Sequence, residues 1–161
     1  MLFSILAILG LVALDQVTKY LAVAYLAPVG TLPFIPGVME LRFVLNDGMA
    51  FGMFSGGRWV LLAATGLVMA GLLWYLIWKK PEGRLERAAL VLILAGGLGN
   101  FIDRLLNGYV VDFFATTFID FAVFNVADCF VCVGVGLMLL AVLLEEHKKK
   151  RAAEEPADGS T

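Results

Sequence analysis

Residues 59–78 read WVLLAATGLVMAGLLWYLIW, twenty positions without a charge and with a tryptophan at each end. About 20 apolar residues in helical form cross a bilayer's hydrocarbon core, and Trp and Tyr rings settle at its interfaces. The stretch therefore predicts a transmembrane helix. Three further runs qualify: 2–26, interrupted by Asp15 and Lys19, then 88–106 and 126–144, whose charges lie near one end. A composition of 61% hydrophobic and 16% charged residues, over 161 positions, is that of a membrane protein rather than a soluble domain. The expected fold is an all-α membrane protein, one four-helix domain over 1–151, with 152–161 as a disordered cytoplasmic tail. A removable leader over 1–14 is disfavoured, since no basic segment begins it and no small-x-small site precedes Asp15. A net charge of −2 gives no electrostatic case for nucleic acid.

Lys and Arg in short loops stay on the cytoplasmic side. Lys79, Lys80, Arg84 and Arg87 crowd the second connection, and Lys148, Lys149, Lys150 and Arg151 follow the last run. Both termini are thus predicted to be cytoplasmic, and connections 27–58 and 107–125 to face outward. In the first of these, VMELRFVLNDG at 38–48 alternates, with Met39, Leu41, Phe43 and Leu45 on one face, and ends in an Asn-Asp-Gly turn signal. It predicts a small outward sheet whose apolar face rests on the membrane and which cradles an extended peptide.

The polar residues of the apolar segments need a reason, because each charge in a bilayer costs on the order of a few kcal/mol. GGLGNFIDR at 96–104 closes the third run, Asn125 and Asp128 open the fourth, and Asp112 lies between. Asn100 and Asp103 are three apart, as are Asn125 and Asp128, a spacing that places each pair on one helix face. Asp15 and Lys19 share a face of the first helix at a spacing of four. Gly96, Gly97 and Gly99 permit close approach of another backbone. Interhelical hydrogen bonding alone is the plainer account of the two Asn residues.

The chemistry within reach is narrow. The single histidine, His147, sits in the basic tail, and Ser4, Ser55 and Ser160 have no base nearby. Cys129 and Cys132 spell C-x-x-C inside an apolar run, where inert packing is expected rather than zinc or redox chemistry. Neither metal nor cofactor is expected. Carboxylates remain, and two held close share a proton, so that one activates water while the other donates to a carbonyl oxygen. Asp103, Asp112 and Asp128 compete for those roles. Asp120 reads as a loop charge.

Five blocks, DQVTK at 15–19, NDGMAFG at 46–52, GGLGNFIDR at 96–104, VVDF at 110–113 and FNVAD at 124–128, resemble in order and placement those of lipoprotein signal peptidase (signal peptidase II), an intramembrane aspartyl protease family. The resemblance implies removal of the signal peptide from bacterial prolipoproteins, with cleavage before the diacylglyceryl cysteine, in the inner membrane near its outer leaflet. It implies Asp112 and Asp128 as catalytic residues. Asn46, Asn100, Arg104 and Asn125 are implied contacts of substrate or of globomycin, the family's cyclic-peptide inhibitor, and a monomer among membrane lipids is expected. The apolar neighbours Val110, Val111, Phe113 and Phe114 suit Asp112 to a raised carboxyl pKa. Arg104 beside Asp103 suits that residue to an orienting role, with Asp15 as a further orienting acid; Asp103 stays the alternative partner of Asp128. The chain departs from the family pattern at Met49, where a small residue is usual, at Phe121–Val123, where proline is frequent, and in the fifteen residues between Asp112 and Asp128. A small proton- or ion-coupled transporter is the rival reading, although such folds show internal repeats and midplane sites.

Overall fold

A computed structural model describes residues 1–48, 57–81 and 83–154. Met49, Ser55 and the polar tail from 155 onward lie outside them. Among the described residues four helices are long and apolar enough to cross a membrane. α1 (Leu2–Leu21) continues through a widened i→i+5 turn at Ala22–Leu26, and α2 (Arg58–Trp74) continues likewise through Tyr75–Lys79. α3 spans Arg84–Leu106 and α4 spans Val126–Glu154.

Two helix ends differ from expectation. α3 begins at Arg84 rather than 88, and α4 runs to Glu154 rather than 144, so the first residues assigned to a disordered tail are helical. An uncharged run stops at its first charge, whereas a helix stops where backbone hydrogen bonding does. Contacts such as Glu145 with Lys149, 2.7 Å apart at i,i+4, support turns beyond the apolar stretch.

α3 is the central helix: α1, α2 and α4 all pack against it, and it is the most buried of the four. That position explains why the polar block 96–104 belongs to it, since its side chains face protein rather than lipid. At one level Ile8, Met69, Leu76, Leu90, Leu94 and Ala95 form an apolar core. Closer to the site the glycines of α3 let α4 and α1 come close. A Cβ added at Gly96 would strike the Ala127 carbonyl and Val131, and one at Gly99 would strike the Asp15 carboxylate.

The strands β1 (Thr31–Ile35), β2 (Met39–Asn46) and β3 (Val110–Thr116) form an antiparallel sheet in the order β1-β2-β3. β3 comes from the second outward connection, 107–125, for which no strand was expected. Gly108, at φ +87, ends α3 in the left-handed conformation and turns the chain into that strand. The sheet's apolar residues divide: Leu32, Phe34 and Ile35 of β1 are exposed, and others turn to α1. Val111 and Phe113 pack with Ala22 and Leu26 at the end of α1, with Leu41 and Phe43 beside them.

One irregularity decides where β2 points. Leu41 pairs with Phe114 but Val44 pairs with Asp112, so β2 spends one more residue than β3 over the same length. Such a bulge reverses the alternation beyond it. Leu45, expected on the apolar face with Met39, Leu41 and Phe43, is 49% exposed, and Asn46, paired with Val110, comes to the Asp112 face.

Candidate active site

The sheet end of the bundle contains a cavity of about 380 Å³. Its polar lining is Asn46 from β2, Asn100 and Arg104 from α3, Asp112 from β3 and Asp128 from α4. Its apolar lining comes from Val110, the segment Phe121–Phe124 and the first turns of α4. Cys129 and Cys132 stand on that wall, Cys129 half-buried and Cys132 exposed. Three apart on a helix that opens at the cavity, they share one face.

Asp112 is 2% exposed. Its Oδ2 accepts a hydrogen bond from Asn46 Nδ2 at 2.9 Å and its Oδ1 accepts one from Asn125 Nδ2 at 2.6 Å. Burial pushes this carboxyl up to about 6, against the Asn46 hydrogen bond and with the added repulsion of Asp128.

Asp128 is held differently. Asn125 precedes α4, and its Oδ1 accepts the Asp128 backbone N–H at 3.0 Å while Asp128 Oδ2 accepts the Asn125 backbone N–H at 3.0 Å. The Asn-x-x-Asp spacing here is thus a reciprocal capping box, with Asn125 outside the helix rather than on a shared helical face. Asp128 Oδ1, left over from capping, accepts Asn100 Nδ2 at 2.7 Å. Arg104 reaches across the cavity rim, donating to the Gly48 carbonyl at 2.8 Å, and its Nε is buried without a partner among the described residues.

Beneath the cavity lies a buried charged cluster. Lys19 Nζ is 2.9 Å from Asp15 Oδ2 and 2.9 Å from Asp103 Oδ2, and donates to Asn100 Oδ1 at 2.8 Å. Asp15 also accepts the Ala127 backbone N–H at 3.0 Å, tying α1 to the start of α4. Asp103 accepts Gln16 Nε2 at 3.0 Å and the Val111 N–H at 3.4 Å. Neither Asp15 nor Asp103 lines the cavity, whereas Asn46, Asn100, Arg104, Asp112 and Asp128 do; Asn125 is fully buried between the two carboxylates. Among the described residues no three His, Cys, Asp or Glu side chains converge as a metal site.

A family model described as signal peptidase (SPase) II matches residues 7–144. The chain belongs to the signal peptidase II family. A protein named lipoprotein signal peptidase from Symbiobacterium thermophilum is 46% identical over 152 residues, covering 92% of this chain and 98% of that one. One of the same name from Streptococcus pyogenes serotype M6 is 41% identical over 142 residues, covering 88% and 93%. A solved bacterial membrane enzyme, determined by the in meso method at 2.3 Å resolution, superposes with a TM-score of 0.83 at 32% identity, over 99% of this chain and 96% of that one. As a signal peptidase II family member the chain is a protease and a multi-pass membrane protein.

Sequence reasoning about this family member passed over Lys19 and Gln16 as site residues, although both stand in the DQVTK block. The available signal was a lysine in the middle of an apolar helix, which demands buried partners. Asp120 is exposed, away from the cavity lining.

Proposed function

We propose that this protein is an aspartyl endopeptidase working within the membrane, which removes signal peptides from diacylglyceryl-modified prolipoproteins by cutting before the lipidated cysteine. One observation carries the reading: two carboxyl groups from separate elements, Asp112 and Asp128, line one cavity with polar and apolar walls. The apolar wall suits a lipid-modified segment, and the polar wall suits an extended backbone. The active site is assigned to the outer side of the cytoplasmic membrane, with both termini inside, from the Lys and Arg distribution.

Asp128, fixed by the capping box, takes a proton from water. Asp112, whose raised pKa keeps it readily protonated, donates to the scissile carbonyl oxygen. Water oxygen bonds to the carbonyl carbon, giving a tetrahedral diol. The proton held by Asp128 then passes to the amide nitrogen, the C–N bond breaks, and Asp112 recovers its proton from the diol hydroxyl. Asn46, Asn100 and Asn125 aim the carboxyl groups, and Asp15 and Asp103 orient the helices that carry them. Arg104 at the rim offers donors to substrate carbonyls or to a globomycin-type inhibitor. The enzyme is assigned as a monomer among membrane lipids, since one chain supplies every group named.

Purified protein in detergent should cleave a diacylated lipobox peptide. Asp112→Asn and Asp128→Asn should each abolish turnover while leaving a folded protein; cleavage retained by either variant overturns the assignment. The transporter reading gains nothing from the geometry, because the acids gather at one end of the bundle rather than along a path through it.

A further inference from the structure

The basic connection after α2 takes no part in the hydrolytic steps, yet the chain folds it over a second cavity. This cavity, of about 280 Å³, is lined by Met1 and Ser4 at the start of α1, Leu76 and Lys80 at the end of α2, Pro81, and Arg87 of α3. It lies at the end of the bundle opposite the candidate active site, because Arg87 stands about 20 Å before Asn100 along α3. We propose that this cavity binds the phosphodiester headgroup of an anionic membrane lipid, with Lys80 and Arg87 as its cationic contacts. The site is separate from Asp112 and Asp128, and its test does not depend on them.

Residues 79–87 carry Lys79, Lys80, Arg84 and Arg87 against Glu82 and Glu86, a surplus of two positive charges. Glu86 is engaged elsewhere, accepting the Tyr75 hydroxyl at 2.7 Å, so the lining holds two cations and no carboxylate among the described residues. Lys80 takes the left-handed conformation, φ +47 and ψ +63, which stops its helix ahead of Pro81 and brings it to the cavity with Arg87. Arg87 Nη2 donates to the Pro81 carbonyl at 2.8 Å. A guanidinium has five N–H donors, so this bond anchors the group beside the cavity and leaves a fork for phosphate oxygens. Buried Ser4 adds a hydroxyl, and buried Leu76 gives the cavity an apolar side. The depth is that of lipid headgroups: Trp74 and Trp78, both exposed, stack at 6.4 Å on the same helix end, as rings do at a membrane interface. Basic pockets between membrane helices at this level take anionic headgroups. A volume near the lower end of ligand pockets, about 300 Å³, suits a compact headgroup. A lipid is favoured over dissolved phosphate because Leu2, Phe3 and Trp78, exposed on the adjoining turns, offer apolar surface to its acyl chains.

The full chain in detergent is titrated with phosphatidylglycerol or with phosphatidylcholine of the same chain lengths, and bound lipid is counted by native mass spectrometry. One phosphatidylglycerol is expected to bind about tenfold or more tightly than phosphatidylcholine, since each nearby cation contributes about fivefold. Lys80→Gln is expected to weaken phosphatidylglycerol about fivefold, and Lys80→Gln with Arg87→Gln about 25-fold, with phosphatidylcholine unchanged. Arg87→Lys, which keeps the charge and loses the fork, is expected to cost less than Arg87→Gln. Lys80 is exposed, so Lys80→Gln alone carries the test should the double variant not fold. The control is Lys148→Gln with Lys150→Gln, which removes the same charge from the same end of the bundle on α4 and is expected to leave binding within about twofold. Equal affinity for the two lipids overturns the proposal, as does a loss in the control equal to that in the double variant, which would mean attraction to diffuse surface charge. Inorganic phosphate alone is the last arm: displacement of phosphatidylglycerol by an equimolar amount of it would make the free ion the ligand and end the lipid assignment.

Discussion

Replacing Asp112 by Asn should yield a protein that is inactive yet more stable at alkaline pH. The Asp112 carboxyl is buried, and its pKa rises from 3.8 to about 6. Between those values the folded protein holds a proton that the unfolded chain has released. Stability therefore falls as pH rises from about 4 through 6 and is level above about 7. At about 1.36 kcal/mol per unit, charging this group costs on the order of 3 kcal/mol at pH 8. Asparagine fits the same space and cannot ionise, but its side chain can accept from only one of Asn46 and Asn125, a loss of about 1 kcal/mol. The variant should thus gain about 2 kcal/mol at pH 8, a rise in Tm of roughly 4 to 8 °C for a chain of this size. Near pH 4, where the parent is already protonated, it should be slightly less stable than the parent. Thermal unfolding in detergent at pH 4, 6 and 8, followed beside cleavage of a diacylated peptide, measures both. A Tm deficit that is the same at every pH would refute the burial argument, because it would mean that Asp112 carries its charge without penalty.

Other perturbations test neighbouring parts. Asn46→Leu removes a donor that stabilises the Asp112 carboxylate, so the alkaline limb of the pH–rate profile should move upward, by as much as about one unit; a downward shift would contradict Asp112 as the proton donor. Gly99→Ala should destabilise by about 1 to 3 kcal/mol, since its methyl meets the Asp15 carboxylate between α1 and α4. Gly97→Ala, whose methyl meets only the flexible end of Met69, should be milder in the same unfolding assay.

Much of this architecture was legible from local pattern. Apolar length is a property of the chain alone, and the bilayer converts it directly into spanning helices, so the four spans and the membrane character followed from counting residues. The alternation at 38–46 announced a strand, and polar residues in apolar runs announced a site, because lipid tolerates them only where they face one another. Helix ends were less legible, since α4 continues through the charged turns after 144 on contacts that hydropathy does not weigh.

Relations between distant elements came only with the folded chain. Whether Asn46 meets Asp112 depends on one extra residue in β2, and a register shift leaves no mark on composition or periodicity. Asn125 and Asp128 share a spacing with Asn100 and Asp103, yet one pair caps a helix and the other divides its contacts between the cavity and the Lys19 cluster. Lys19 acquired its meaning from acceptors more than eighty residues away in sequence. Hydrophobic pattern acts through the solvent and is written residue by residue, whereas hydrogen-bond direction and register depend on which surfaces pack together, and that is decided only when α1, α3, α4 and the sheet close around one another.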